Sequence, residues 1–352
     1  MEVKKTIISA VSCLIVTVSA SAQTTASSSS STFLQNDFSG QLAATLITEE
    51  SLYRPVEFLS DTLCEGRAIQ TRGGVEASSW ISRQYGHIGL VPLSSPYIRG
   101  TVPPPSYFIR SYRLDGKIGR NVIGLCPAAK HSDKYVVVAA HFDNLGVLSD
   151  RYYPGADSNA SGVSVLLNLA HLFRSLGILG HASGKNILFV ALDGKQMSMS
   201  GARAFYDCLA AGQFVNPSDG HRIRPEDISM MVNIDIVGST LEPVRKNRKD
   251  YLIMLSTDES FQKQMTDTNW SSRLYMDISY DYYGSKDFTD LFLNRIGDQS
   301  VFIEHKIPSV LFTSGITMST NKTDDTLESL DFEVLRKRTL LIFRWLESIL
   351  VP

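Results

Sequence analysis

The stretch from Tyr135 to Phe173 constrains this chain most, because a buried-type strand, a polar turn and a helix follow one another in it without a break. Residues 135–140 read YVVVAA, a short apolar run of β-branched and small residues. Such a run is long enough for a strand covered on both faces and too short for a helix. It ends on His141-Phe142-Asp143, so an imidazole and a carboxylate emerge together at the strand's C-terminal edge, where open α/β sheets bind their ligands. Residues 154–162, PGADSNASG, then supply turn formers, the carboxylate of Asp157 and capping residues ahead of an apolar-periodic helix from about Ala160 to Leu176.

The same alternation continues. Buried-type strands are expected at Asn186–Leu192, Met230–Asp235 and Ile307–Phe312, with an amphipathic helix closing the chain over Leu327–Leu350. Upstream, Tyr107–Leu114 and Gly119–Leu125 flank Asp115-Gly116, a hairpin signal. Leu42–Ser60 carries helical spacing broken at Pro55 and suggests two short helices, and a further helix spans Ala77–Tyr85. The tyrosines at 275, 280, 282 and 283 suit either a pocket lining or a sheet edge. Strands alternating with helices of this length imply an α/β fold, a largely parallel mixed central sheet with helices on both faces.

Composition excludes several function classes. A net charge of -2 gives no basic footprint for nucleic acid. There is no G-x-S-x-G elbow of an α/β esterase. Cysteines at 13, 64, 126 and 208 form no C-x-x-C pair, and without Cys13 at most one disulfide is possible. Residues 1–22 read as a secretory leader, with Lys4-Lys5, an apolar run from Thr6 to Val18 and the small-x-small site Ala20-Ser21-Ala22 before Gln23. The apolar run is too short for a stable membrane span. Residues 23–37 are a Ser/Thr-rich tether, residues 38–352 one catalytic-type domain, and no membrane-length apolar stretch follows the leader. The expected location is therefore an exported one, periplasmic or extracellular, with a lipid anchor on Cys13 disfavoured by the few apolar residues before it.

The H-x-D pair followed by G-A-D-x-N-A-S-G resembles the co-catalytic zinc exopeptidases, the family of bacterial leucyl aminopeptidases, glutamate carboxypeptidase and glutaminyl cyclases. The resemblance implies a three-layer sandwich and a site in which two zinc ions about 3.5–4 Å apart activate a bridging water. It implies further that His141 is a metal ligand, Asp143 the carboxylate that orients it, Asp157 the bridging ligand and Asp235 the carboxylate completing one metal's shell.

The remaining positions depart from the pattern. Where the family reads D-G-E-E, with a glutamate base and a glutamate ligand, this chain reads Asp193-Gly194-Lys195-Gln196. Asn321 stands in place of the last ligand histidine, and the family's S-D-H stretch reads Gly297-Asp298-Gln299. Lysine is no carboxylate base, and Gln196 and Asn321 offer only neutral donors, so at most one zinc ion is expected on His141, Asp157 and Asp235. The expectation is a secreted, aminopeptidase-like protein with a degraded dinuclear site that binds peptides or peptide-like ligands without hydrolysing them. The alternative is an active metallo-aminopeptidase or amide-processing enzyme with a rearranged shell. Lys195, a flexible cation, is expected to turn inward to Asp157 or Asp235. Intact-mass measurement of the exported chain is expected to give a mature N-terminus at Gln23; a product retaining Met1 or carrying lipid on Cys13 would contradict the leader assignment.

Overall fold

The computed structural model describes residues 37–93, 103–240 and 249–350. The expected leader and all of the expected tether except Asp37 lie outside the described residues.

Nine α-helices are described: α1 Phe38–Leu46, α2 Glu49–Ser60, α3 Arg72–Ile88, α4 Ser161–Ile178, α5 Ser200–Ala210, α6 Glu259–Ser271, α7 Lys286–Asn294, α8 Gln299–Glu304 and α9 Phe332–Leu350. The strands are β1 Ile109–Leu114, β2 Lys117–Cys126, β3 Tyr135–His141, β4 Gly146–Leu148, β5 Arg151–Tyr153, β6 Asn186–Leu192, β7 Ile228–Ile234, β8 Tyr251–Ser256, β9 Asp277–Ser279 and β10 Ser309–Thr313. Eight form one sheet in the order β1-β2-β6-β3-β7-β10-β8-β9, and β4 pairs with β5 apart from it. The four central strands β6, β3, β7 and β10 are mutually parallel, β2 runs antiparallel to both β1 and β6, and β8 runs antiparallel to β10 and parallel to the edge strand β9.

The central strands are apolar on both sides because both faces are covered. Val136, Val138 and Ala140 of β3 join Ile187, Phe189 and Ala191 of β6 beneath one helical layer, which includes Leu166, Leu169 and Phe173 of α4 and Phe343 and Leu346 of α9. The alternate residues Tyr135, Val137 and Ala139, with Leu188 and Val190, pack with Phe205 and Leu209 of α5 and Phe302 of α8. This period of two across a covered sheet produces the three-layer sandwich. Helix α4 with the turn before it is apolar and long enough to cross a membrane by composition, but most of it is buried in this core.

Several local expectations shift. The break between the first two helices falls at Ile47-Thr48 and not at Pro55, which lies inside α2. Thr48 caps α2, accepting from Ser51 N at 3.0 Å while the Ser51 hydroxyl accepts from Thr48 N at 2.9 Å. That reciprocal cap fixes the helix start more strongly than an internal proline weakens it. The final helix begins at Phe332, after a 3-10 turn at Leu327–Ser329. Of the tyrosine-rich segment, residues 277–279 form the edge strand β9 and Tyr282 packs into a third cluster with Tyr251 and Leu311. Cys64, Cys126 and Cys208 are free thiols.

Two buried arginines tie the loops at the C-terminal edge of the sheet, and neither donates to a carboxylate. Arg67 donates to the carbonyls of Phe142 at 2.6 Å, Pro154 at 2.6 Å and Gly155 at 2.8 Å, and also to Leu59 O. Arg338 donates to Val237 O at 2.6 Å, Ser239 O at 2.8 Å and twice to Tyr251 O. Five of these seven carbonyls belong to loops beyond the strand ends, with Leu59 in the last turn of α2 and Tyr251 at the start of β8, and buried main-chain acceptors of this kind need donors. Arg67→Met, which strands the carbonyls of Leu59, Phe142 and Pro154 while Gly155 O keeps the Ala160 N–H at 3.2 Å, is expected to lower the unfolding free energy by about 3 kcal/mol or more, since each orphaned buried acceptor costs about 1–3 kcal/mol. Urea denaturation measures it, and a loss below about 1 kcal/mol would mean that the loops find other donors.

Candidate functional site

Strand register assembles the site. β3 pairs in parallel with β7 so that Ala139 lies opposite Asn233, and with β6 so that His141 lies opposite Leu192. Two residues further along, His141 and Asp235 come level, and the loop Asp193–Gln196 leaves β6 beside them. Asp235 is held at this point by its own N–H, which donates to Phe312 O of β10 at 3.0 Å.

His141 is fully buried, and both of its ring nitrogens face acceptors. Nδ1 lies 3.0 Å from Asp143 O, and Nε2 lies 3.1 Å from Asp235 Oδ1. A neutral imidazole has a single N–H, so donating at both ends requires the imidazolium. Burial and the Lys195 ammonium oppose that charge, but Asp235 and Asp143 outweigh them and push the ring's pKa up to about 9. The other oxygen of Asp235, Oδ2, accepts from Lys195 Nζ. Burial works to raise the Asp235 pKa, yet Lys195 and His141 hold the carboxyl well below the usual range. Of the two carboxylates open to it, Lys195 therefore takes Asp235 and not Asp157.

Asp143 faces both His141 and the lysine loop. Its carboxylate lies 3.6 Å from His141 Nδ1 and accepts the backbone N–H groups of Lys195 at 3.0 Å and Gln196 at 3.1 Å. It orients His141 through its carbonyl and the lysine loop through its carboxylate. The turn itself is set by Gly194, whose φ of +75° favours glycine and where a Cβ would collide with Ser200 Oγ and Tyr112 OH.

Asp157 is brought to the same sheet edge but is engaged elsewhere. Its Oδ1 accepts from Gly238 N at 2.6 Å and Ser161 Oγ at 2.9 Å, and Oδ2 accepts from Ser239 N at 3.1 Å. Asp325 lies beneath it, accepting the N–H groups of Asp157 at 2.7 Å and Ser158 at 3.1 Å. Burial and the Asp157 charge push the Asp325 carboxyl up to about 7. Gln196 and Asn321 are both exposed, Asn321 with a φ of +60° in the loop before Asp325. Gln299, in the place of the family's histidine, is structural: it accepts from Asn233 Nδ2 at 2.8 Å and donates to the carbonyls of Phe292 and Leu293.

The residues that resemble zinc ligands do not fit a zinc shell in this arrangement. Zinc needs an unprotonated imidazole nitrogen and carboxylate oxygens open to a cation, whereas here His141 Nε2 faces Asp235 Oδ1, the Lys195 ammonium lies on Asp235 Oδ2, and Asp157 Oδ1 already accepts from two donors. Among the described residues, no three His, Cys, Asp or Glu side chains converge to hold a metal ion.

Asp298, the middle residue of Gly297-Asp298-Gln299, has no role assigned from the sequence. It is buried, and neither of its carboxylate oxygens has a hydrogen-bond donor among the described residues. Burial raises its pKa to about 6 against the lowering effect of His141 and Lys195. Asp193, at the start of the lysine loop, is likewise raised to about 8 by burial and then by Asp143.

The family description Peptidase family M28 matches residues 121–346. Among curated proteins, BOS complex subunit NCLN of Gallus gallus is 42% identical over 73 residues, 20% of this chain and 13% of that protein. Transferrin receptor protein 2 of Homo sapiens is 30% identical over 110 residues, 31% of this chain and 13% of that protein. The matched segments thus span about an eighth of these relatives' lengths. Among solved structures, LapB from Legionella pneumophila superposes with a TM-score of 0.66 at 16% identity, covering 93% of this chain and 79% of its own. BSAP, a zinc aminopeptidase from Bacillus subtilis, gives 0.62 at 14% identity, covering 87% and 96%. At these identities the two structures share the fold.

His141, Asp193, Asp298 and Asp325 all have folded pKa values above their unfolded ones. Each therefore contributes stability that is complete below its unfolded pKa and lost as pH rises through the folded value. Asp235, held low, acts in the opposite sense only below about pH 4. The melting temperature of the metal-free protein is expected to fall from pH 6 to pH 9, and Asp298→Asn to flatten the part of the profile below about pH 6. Scanning fluorimetry across buffers measures this, and a melting temperature that rises over pH 6–9 would contradict the assignment.

Proposed function

Because the chain belongs to peptidase family M28, we propose that it is an aminopeptidase-like member that binds peptides or peptide-like ligands without hydrolysing them. The observation that carries this reading is Lys195: a lysine occupies the position of the family's glutamate base, and its ammonium is bonded to Asp235. Peptide hydrolysis in such a site needs a group that takes a proton from water and a cation that polarises the carbonyl. A paired ammonium does neither. The neutral Gln196 and Asn321, both exposed, support the same reading by supplying no strong ligand for a second ion.

On this reading the protein acts outside the cytoplasm after leader removal, its occupant is a peptide end or a peptide-like amide, and at most one zinc ion belongs to it. Nucleic acid is not its partner, given the near-neutral charge. A second reading, an active metallo-aminopeptidase with a rearranged shell, is favoured by one feature, the buried carboxylate of Asp298 with both oxygens unbonded among the described residues.

An aminoacyl-anilide assay with added zinc separates the two. The wild-type chain is expected to show no turnover above background. The triple variant Lys195→Glu, Gln196→Glu, Asn321→His, which restores the family's residue types, is expected to take up more zinc and to gain measurable hydrolysis. Zinc-dependent hydrolysis by the wild-type chain, abolished by a chelator, would overturn the binding reading in favour of the enzyme.

A further inference from the structure

We infer that the Lys195 ammonium is the resident cation of this sheet edge, standing where a zinc exopeptidase holds a metal ion, and that it keeps zinc out of the site. The inference rests on the non-hydrolytic reading above, but it concerns metal uptake, which is measured apart from hydrolysis.

The geometry leaves zinc little to bind. Both oxygens of Asp235 are taken, one by Lys195 Nζ and the other by His141 Nε2. Asp157 spends its oxygens on Gly238 N, Ser239 N and Ser161 Oγ. A divalent ion entering beside a retained ammonium would meet a like charge at close range in a poorly solvated site. Zinc therefore has to expel the lysine.

The lysine is also well held. Its backbone is fixed before the side chain is placed, because Asp143 binds the N–H groups of Lys195 and Gln196, Met197 N donates to Gly194 O at 3.0 Å and Met199 N donates to Lys195 O at 3.1 Å. A side chain launched from a rigid turn gives up less freedom on pairing than one on a mobile loop. With 17% of its side chain exposed, Lys195 lies inside the site and not on its rim. Asp298 adds a further negative charge that favours the ammonium. The same substitution that removes the base thus supplies the cation.

The test is a titration of the full mature chain with Zn²⁺ alone, in competition with a chromogenic chelator, for the wild type and the Lys195→Arg, Lys195→Met and Lys195→Glu variants. The wild type and Lys195→Arg are expected to hold no stoichiometric zinc, Lys195→Met to bind it at least about tenfold more tightly than the wild type, and Lys195→Glu more tightly still. Stoichiometric zinc on the dialysed wild type, or a Lys195→Met variant that is folded and binds no more tightly, would overturn the inference. Should both charge-removing variants fail to fold, amine acetylation of the wild type read by mass spectrometry decides: Lys195 is expected to label at least about tenfold more slowly than the exposed Lys286, and equal rates would overturn it. Anilide hydrolysis by the same preparations bears on the non-hydrolytic reading, so a zinc-free enzyme and a zinc-loaded binder are told apart.

Discussion

A carboxylate delivered to the buried end of a parallel strand has to be given positive charge, and Asp235 is delivered there by the register of β7 against β3. Left alone it would give up its ionised form, because a low-dielectric surrounding penalises charge far more than neutral polarity. Here it stays ionised by holding two cations, the His141 ring on one oxygen and the Lys195 ammonium on the other. Those two cations in turn need more than one counter-charge. Asp143 stands behind the histidine and the lysine turn, and Asp298 faces the same cluster from the start of α8, so the edge forms a compact alternation of signs.

Around this cluster the backbone is held by guanidinium groups and not by salt bridges. Loops that leave parallel strands at one edge carry carbonyls that no neighbouring strand can satisfy, and a planar fork of five donors suits several of them at once. Arg67 gathers the loop before Asp157 together with the carbonyl between His141 and Asp143. Arg338 gathers Val237 and Ser239, on either side of the amide that Asp157 accepts most closely. The Asp157 carboxylate thereby lies among oriented N–H groups with a buried guanidinium nearby, and it needs no ion to remain in place.

What was legible in the sequence follows from how local each signal is. The strands β3 and β6 are unbroken apolar runs whose residues alternate between two cores, so their limits could be read within a residue. The hairpin turn at Asp115-Gly116 was legible because both residues adopt positive φ, as that dipeptide permits. His141 and Asp235 were each legible as the end of a buried strand, and it was the family resemblance that put them in one site. The partners of Asp157 were not, since Gly238 and Ser239 lie some 80 positions away and act through main-chain N–H groups that carry no residue signature. Asp298 precedes a helix of only six residues, too short for a period to declare which side is buried. Arg338 could have been found: Val334, Leu335, Leu341 and Ile342 are its neighbours at helical spacing and all are buried, which places a charged residue in the middle of an apolar stripe.

The charge inventory explains why the departures from the family pattern occur together. A dinuclear site is built around two divalent ions, and the carboxylates that surround them repel one another as soon as the ions leave. Changing one ligand alone would leave that repulsion in place. In this chain a lysine and a glutamine stand where the pattern has two glutamates, which makes the fixed charge more positive by three units. The imidazolium form of His141, required by acceptors at both ring nitrogens, adds a fourth. Four units is the formal charge of the two ions. On the non-hydrolytic reading proposed above, the sheet edge keeps the strands, turns and carboxylates of a metallopeptidase because the protein's own cations balance the charge and the backbone clamps hold the geometry in which they do so.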